Sequence, residues 1–284
     1  ASDNKFWQFS LDELAKFDAP AVIDKALNVT RQKSLYWLGH SQGSAIGFMM
    51  LSERPEYNRK VKALFQLGPA GTCGYAKGLM RFVLMAYKTL KPITDFYRFI
   101  LGSHEIVLGE ASVFRPLITL CEEKIPFLGH EECNNGIRSL FGSPAKEINS
   151  SRLPESFNSP GPCGTSSWIF LHWGQMASRR KVEHMDHNPL ENFFRYGQET
   201  PPPYNYSKVD VPVYLFWSRN DWMTTAEEID LVLLKMLRKS VVKGGKEIPS
   251  YNHVDFVHAM DCAEKVFNPI TAIVRRQESE MCRR

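Results

Sequence analysis

The stretch that most restricts what this chain can fold into is Leu35-Tyr-Trp-Leu-Gly39-His40-Ser41-Gln42-Gly43-Ser44-Ala45-Ile46-Gly47-Phe48. Four apolar residues run into Gly-His-Ser-Gln-Gly, and a second apolar run follows at once. That pattern reads as strand, sharp turn and helix, with a serine at the apex. Such an elbow holds its serine hydroxyl clear of the sheet on a strained turn. A Cβ at Gly39 or Gly43 is expected to clash where the backbones approach one another. The apex also faces a helix N-terminus, whose free N–H groups favour a developing oxyanion. Glycine and serine are common, so the pentapeptide gains its meaning from the strand before it and the helix after it.

A serine hydroxyl needs a base to take its proton, and the base needs an orienting acid. Both lie downstream in the order Ser, Asp, His. Val211 to Trp217 is an apolar strand that runs into Ser218-Arg-Asn-Asp221, which places Asp221 just past a strand end. His253 lies in a loop after a second strand-like segment, before a helix expected near Val254. Each residue has an ordinary reading. Asp221 could be a turn aspartate or a helix N-cap, and His253 a solvated loop histidine. The ordered set of three at strand ends is what points to Ser41 as nucleophile, Asp221 as acid and His253 as base. Asp255 and Asp261 are rival acids, although a residue two positions from the base reaches the ring poorly. His40 reads as a packing or pocket-lining residue.

Several longer segments carry a resemblance: Phe6 to Pro20 (FWQFSLDELAKFDAP), Leu38 to Gly43, Thr165 to Trp173 (TSSWIFLHW), Pro202 to Ser207 (PPYNYS) and Tyr251 to Asp261 (YNHVDFVHAMD). With these the chain resembles the acid lipase family, the α/β-hydrolases that include gastric and lysosomal acid lipases. The resemblance covers nearly the whole chain. It implies the same three residues in the same roles, and ester hydrolysis of neutral lipids, triacylglycerols or cholesteryl esters, at a lipid–water interface. The backbone N–H of Gln42 is the expected oxyanion donor, and no cofactor is needed. The resemblance also suggests that Cys121 and Cys133 pair. An esterase or acyltransferase on the same triad, and a non-catalytic or weakly active lipid-binding form, are the alternatives.

The expected fold is therefore α/β, an α/β-hydrolase with a partial, mostly parallel central sheet and an inserted, mainly helical cap. Residues 1–71 form the first part of the core, 72–207 the cap and 208–284 the second part. Strand-like alternation fades near Thr72 and resumes at Val211. Ser10-Leu-Asp-Glu13 is a capping-box sequence, so a helix is expected from about Leu11, and Val22, Ile23, Ala26 and Leu27 are expected to share one apolar face. Strands are expected over 35–38 and 61–67. Within the cap, residues 78–91 read as an amphipathic helix, suited to a lipid surface or to plain packing.

The 284 residues carry a net charge of +4, with basic residues scattered, so a nucleic-acid partner is not expected. No apolar run approaches 18 residues, so no transmembrane helix is expected either. His184 and His187, three apart with Asp186 between them, could form a ligand pair on one turn. No further ligand is identifiable by spacing, so no metal is expected. Asn28, Asn149 and Asn205 open N-x-S/T sequons, and the chain starts at Ala1 as a processed or truncated sequence would. With six cysteines, these features favour a secreted or lysosomal location. Finally, only forty residues precede Ser41, and no His-Gly pair occurs anywhere. One oxyanion donor and the pairing partner of the first strand are therefore expected to be missing, which would make the chain a poor catalyst.

Overall fold

The computed structural model describes residues 5–86, 91–92, 105–106, 142 and 165–283. Four strands form one parallel sheet in the order β1 (Leu35–His40), β2 (Val61–Leu67), β5 (Val213–Trp217), β6 (Val242–Glu247). Two short strands, β3 (Glu105–Ile106) and β4 (Thr165–Ser166), pair antiparallel. β1 extends two residues beyond the expected Leu38, up to the turn itself.

Alternation along β2 and β5 divides the interior into two layers. Leu64, Val213 and Leu215 face one side, against the helices before and after β1. Ala63, Phe65, Leu67, Tyr214 and Phe216 face the other, with Ile248, Tyr251, Phe256, Val266 and Ile270. A sheet buried on both faces is the usual setting of parallel strands, and explains why β2 and β5 are apolar almost throughout.

The first helical segment starts where the capping box places it. Ser10 Oγ accepts from Asp12 N, and Glu13 reaches back to Ser10 N at 2.7 Å. α1 (Leu11–Glu13) continues through a π-turn (Leu14–Asp18) into α2 (Ala19–Thr30). The buried face of α2 is Ala19, Pro20 and Ile23, while Val22 is 65% exposed. Of the expected face, Ile23 is buried and Ala26 and Leu27 are half-buried, with Leu27 packed against the core, so the correction falls on Val22. Positions 19 and 23, four apart, point inward, and Leu27 follows four further on, so the buried stripe passes beside Val22. Helix α3 (Gln42–Glu53) is buried over most of its surface and packs on β1.

Within the proposed cap, α4 (Gly78–Met85) packs on α5 (Ser167–Arg179), and α6 (Pro189–Tyr196) follows. α4 buries none of its residues, and its Leu79, Phe82, Val83 and Met85 are exposed. On the C-terminal side of β5 come α7 (Ala226–Glu228), a π-turn (Ile229–Leu233) and α8 (Leu234–Met236). After β6 come α9 (Asp255–His258), another π-turn (Ala263–Phe267) and α10 (Asn268–Met281). Among the described residues no helix is long and apolar enough to cross a membrane.

Candidate active site

Ser41 sits between β1 and α3 with φ 54° and ψ −119°, a left-handed conformation that a non-glycine residue adopts only when its surroundings impose it. They do so with four hydrogen bonds. Ser41 N donates to Leu67 O at 3.0 Å, and Ser44 Oγ donates to Ser41 O at 2.5 Å. Ser44 Oγ accepts in turn from Ala70 N, and Gln66 Nε2 donates to Ser44 O. A Cβ on Gly39 would lie 2.6 Å from Gly43 O and 2.7 Å from Gln66 Oε1, so only glycine fits there. Gly43 differs from expectation, because its added Cβ would meet nothing within 4 Å. The close approach is one-sided. Gly43 offers its carbonyl to Gly39 and to Trp37 Nε1, and its own Cβ direction points into open space.

The structure brings Ser41, His253 and Asp221 into one hydrogen-bonded chain. His253 Nε2 is 2.7 Å from Ser41 Oγ, and His253 Nδ1 is 2.8 Å from Asp221 Oδ2. A carboxylate oxygen accepts, so Nδ1 carries the proton and Nε2 is free to take one from the serine. His253 and Asp221 are buried, and Ser41 is half-buried. Asp221 Oδ1 accepts from the backbone N–H groups of Met223 and Thr224, both at 2.8 Å. The rival acids are engaged elsewhere. Asp255 Oδ2 accepts from Asn252 N, while Asp261 accepts from Tyr251 Oη and pairs with Lys265.

Three neighbours were not singled out by the sequence. Thr224 Oγ1 donates to Asp221 Oδ2 at 2.7 Å and lies 3.3 Å from His253 Nδ1. The Asp-x-x-Thr spacing after a strand, a turn-forming pattern, was the available signal. Gly68 has φ +48°, and a Cβ there would press on His253 Nδ1 at 3.2 Å and Asp221 Oδ2 at 3.3 Å. Trp173 Nε1 on α5 donates to Gln42 Oε1 at 2.9 Å, which ties that helix to the elbow. Gln42 itself opens α3, where a helix has unpaired N–H groups.

His40 is not a base in this geometry, since its Nε2 meets the backbone carbonyl of His253 at 2.8 Å. Burial, followed by the charge of His253, pushes its pKa down to about 4.

His184 and His187 lie on an irregular segment, not on a helical turn. His184 lies between the Asp12 and Glu53 carboxylates, at 3.3 and 3.6 Å, and its ring stacks on Tyr204. His187 instead packs edge-on to Trp168. Among the described residues no group of three or more His, Cys, Asp or Glu side chains is arranged to hold a metal ion. Asn28 and Asn205 are exposed. Asn149, Cys121 and Cys133 lie outside the described residues. Cys73, Cys262 and Cys282 are free thiols.

No family model matches the sequence. The chain is 35% identical over 280 residues to the gastric triacylglycerol lipase of Bos taurus, covering 95% of this chain and 65% of that protein. It is 30% identical over 279 residues to the lysosomal acid lipase/cholesteryl ester hydrolase of Rattus norvegicus, covering 98% of this chain and 67% of that protein. Among solved structures, a lipase candidate from Sulfolobus solfataricus superposes with a TM-score of 0.57 at 11% identity, covering 98% of this chain and 69% of that one. That likeness is one of fold alone, the α/β-hydrolase fold. The chain spans about 65% of the length of the gastric lipases it matches. With a relative at 30% identity matched over two thirds of its length, and the fold shared, this chain belongs to the acid lipase family of α/β-hydrolases.

Proposed function

We propose that the chain hydrolyses carboxylic esters of neutral lipids, triacylglycerols or cholesteryl esters, through Ser41, His253 and Asp221. The observation that carries this reading is the continuous chain of 2.7 and 2.8 Å contacts from Ser41 Oγ through the His253 ring to Asp221. In the reaction His253 Nε2 takes the hydroxyl proton as Ser41 Oγ attacks the ester carbonyl. The carbonyl electrons move onto oxygen, and the Gln42 N–H donates to it. Collapse expels the alcohol, which receives the proton from His253 and leaves an acyl-serine. Water, deprotonated by the same nitrogen, then releases the fatty acid and restores Ser41. Asp221 holds the ring by its Nδ1–H and offsets the imidazolium charge.

The substrate class is supported by the named activities of the relatives and by the surface. Leu79, Phe82 and Val83 on α4, and Leu190, Phe193 and Phe194 on α6, are exposed apolar side chains within residues 72–207. We assign that segment as a cap that meets the lipid–water interface, with 1–71 and 208–284 as the two parts of the core. A secreted or lysosomal location is supported by the relatives' names and by the exposed sequons at Asn28 and Asn205.

A second reading is a weakly active form. The second oxyanion N–H in this fold comes from a loop between an earlier strand and its helix. Residues 5–34 hold helix and turn and no strand. Fluorophosphonate labelling, together with hydrolysis of emulsified triolein, cholesteryl oleate and p-nitrophenyl acetate by the wild type and by Ser41→Ala, separates the readings. Ser41-dependent release that favours the long-chain lipids supports the lipase. Labelling with release slower by on the order of 10²–10³ than a full-length relative supports the weakly active form. Preference for the acetate, or transfer of the acyl group to an added alcohol, would instead favour an esterase or acyltransferase. Absence of any Ser41-dependent labelling or release would remove the enzymatic reading.

A further inference from the structure

Ser41 and His253 are joined twice. The side chain of His253 reaches Ser41, and the main-chain carbonyl of His253 is met by the residue just before Ser41. His40 Nε2 stands 2.8 Å from His253 O, and the two rings lie 5.0 Å apart at 34°. A carbonyl oxygen only accepts, so His40 is the Nε2–H tautomer and donates. The two ends of this contact differ in rigidity. His40 is the last residue of β1, paired with Leu67 of β2. His253 lies on an irregular loop beyond β6. A proton-transfer pair needs both members held to within a fraction of an ångström, and a loop supplies that less well than a strand does.

We propose that His40 is a positioning residue for the reaction inferred above, tying the loop that carries His253 to the strand that carries Ser41. The contacts Ser41 Oγ–His253 Nε2 and His253 O–His40 Nε2 close a ring through the His40–Ser41 peptide bond, so neither partner can drift without breaking one of them. His40 also suits the place electrically. Burial first, then the charges of His253 and His258, hold it neutral down to about pH 4, against the opposing pulls of its hydrogen bond to the His253 carbonyl and of Asp221. A neutral ring beside His253 does not oppose the imidazolium that forms when the serine gives up its proton.

The proposal rests on the serine-hydrolase reading, and its test separates the two. The second-order rate of Ser41 labelling by a fluorophosphonate is measured per folded protein in wild type, Ser41→Ala, His40→Ala and His40→Gln. Thermal midpoints and the downfield proton NMR signal of the His253 Nδ1–H are recorded beside it. His40→Ala is expected to label roughly three- to tenfold more slowly, the rate equivalent of one net hydrogen bond, with the downfield signal broadened. His40→Gln, whose amide N–H can reach the same carbonyl, is expected to recover to within about twofold. A merely structural role would lower the thermal midpoint and leave the rate per folded protein and the NMR signal unchanged. Equal rates in wild type and His40→Ala, or a His40→Gln as slow as His40→Ala, would overturn the proposal. If His40→Ala yields no folded protein, His40→Leu against His40→Gln makes the same comparison. Wild type that fails to label, or labels as Ser41→Ala does, brings down the hydrolase reading, and the positioning role with it.

Discussion

Thr224 Oγ1 donates at 2.7 Å to Asp221 Oδ2, the carboxylate oxygen that also holds His253 Nδ1. With Met223 N and Thr224 N on the other oxygen, the buried carboxylate has a donor at every side. A fully satisfied carboxylate is fixed in one rotamer, and so fixes the plane of the imidazole. Thr224→Val keeps the shape and removes one donor. Its expected effect is a turnover lower by roughly three- to tenfold with KM little changed, the scale of one hydrogen bond. Asp221→Asn, which favours the wrong histidine tautomer, is expected to lose on the order of 10⁴. Steady-state kinetics on a soluble ester checks both. A Thr224→Val enzyme that changes KM alone would place Thr224 in substrate binding.

Glu228 carries a different expectation. It is fully buried, and its Oε1 accepts from Thr72 N, from Thr72 Oγ1 at 2.8 Å and from Cys73 N at 3.1 Å. One carboxylate thus pins the loop that follows β2, next to Gly68 and the His253–Asp221 pair. Burial raises its pKa, against the lowering effect of those backbone N–H groups. A carboxyl group raised in the folded state has its full stability below the unfolded value of 4.5 and loses it as pH rises through the folded value. Glu228→Gln keeps an acceptor and cannot ionise, so its thermal midpoint should fall less than wild type's between pH 4.5 and 7. Glu228→Ala leaves buried N–H groups unpaired, and should cost about 1–3 kcal/mol at every pH. Parallel midpoint curves for wild type and Glu228→Gln would refute the ionisation argument.

The sequence made the elbow and its two partners legible because each sits at a strand end. There a run of apolar residues stops abruptly at polar, turn-forming ones. The capping box at Ser10 was legible for a different reason, since both of its partners lie within four residues. What could not be read depends on segments that meet only in the folded chain. Gly68 is constrained by two loops that converge from β5 and β6, and the carbonyl partner of His40 lies on one of them. Val22 was misplaced because it lies at the margin of the buried stripe formed by Ala19, Ile23 and Leu27, which the apolar pattern alone does not distinguish. His184 pairs with Asp12 and Glu53, at the start of α1 and the end of α3, and not with its near neighbour His187.

That cluster should set part of the pH dependence of stability. Burial lowers the pKa of His184, but hydrogen bonds and charge from Asp12 and Glu53 outweigh it and raise the value to about 9. A histidine raised in the folded state contributes fully below its unfolded value of 6.5, and loses that contribution as pH climbs through 9. Glu53 is lowered, chiefly by its hydrogen bond to His184. Its contribution is present above 4.5 and lost as pH falls below that. The two together favour the fold most between about pH 4.5 and 6.5. His184→Phe keeps the stack on Tyr204 and removes the cation. Its deficit in thermal midpoint should be largest near pH 5.5 and shrink toward pH 9. A deficit independent of pH would mean that packing, not charge, holds this corner.

The last expectation concerns β1. Among the described strands it pairs on one side only, with β2, and its Leu38 is 45% exposed. A parallel edge with free N–H and C=O groups and an apolar side chain is a template for another strand. Natural sheets block such edges with charge, and β1 (Leu-Tyr-Trp-Leu-Gly-His) carries no lysine, arginine, aspartate or glutamate. This chain on its own is therefore expected to self-associate as its concentration rises. Leu38→Lys places a charge on the open side without touching the Ser41–His253 contact, which lies beyond the end of the strand. Size-exclusion chromatography with light scattering across a concentration series should give a growing mass for wild type and a smaller, steadier one for Leu38→Lys. Fluorophosphonate labelling of Ser41 should be alike in the two. A monomeric wild type at every concentration, or association undiminished by Leu38→Lys, would show that this edge is not the surface involved.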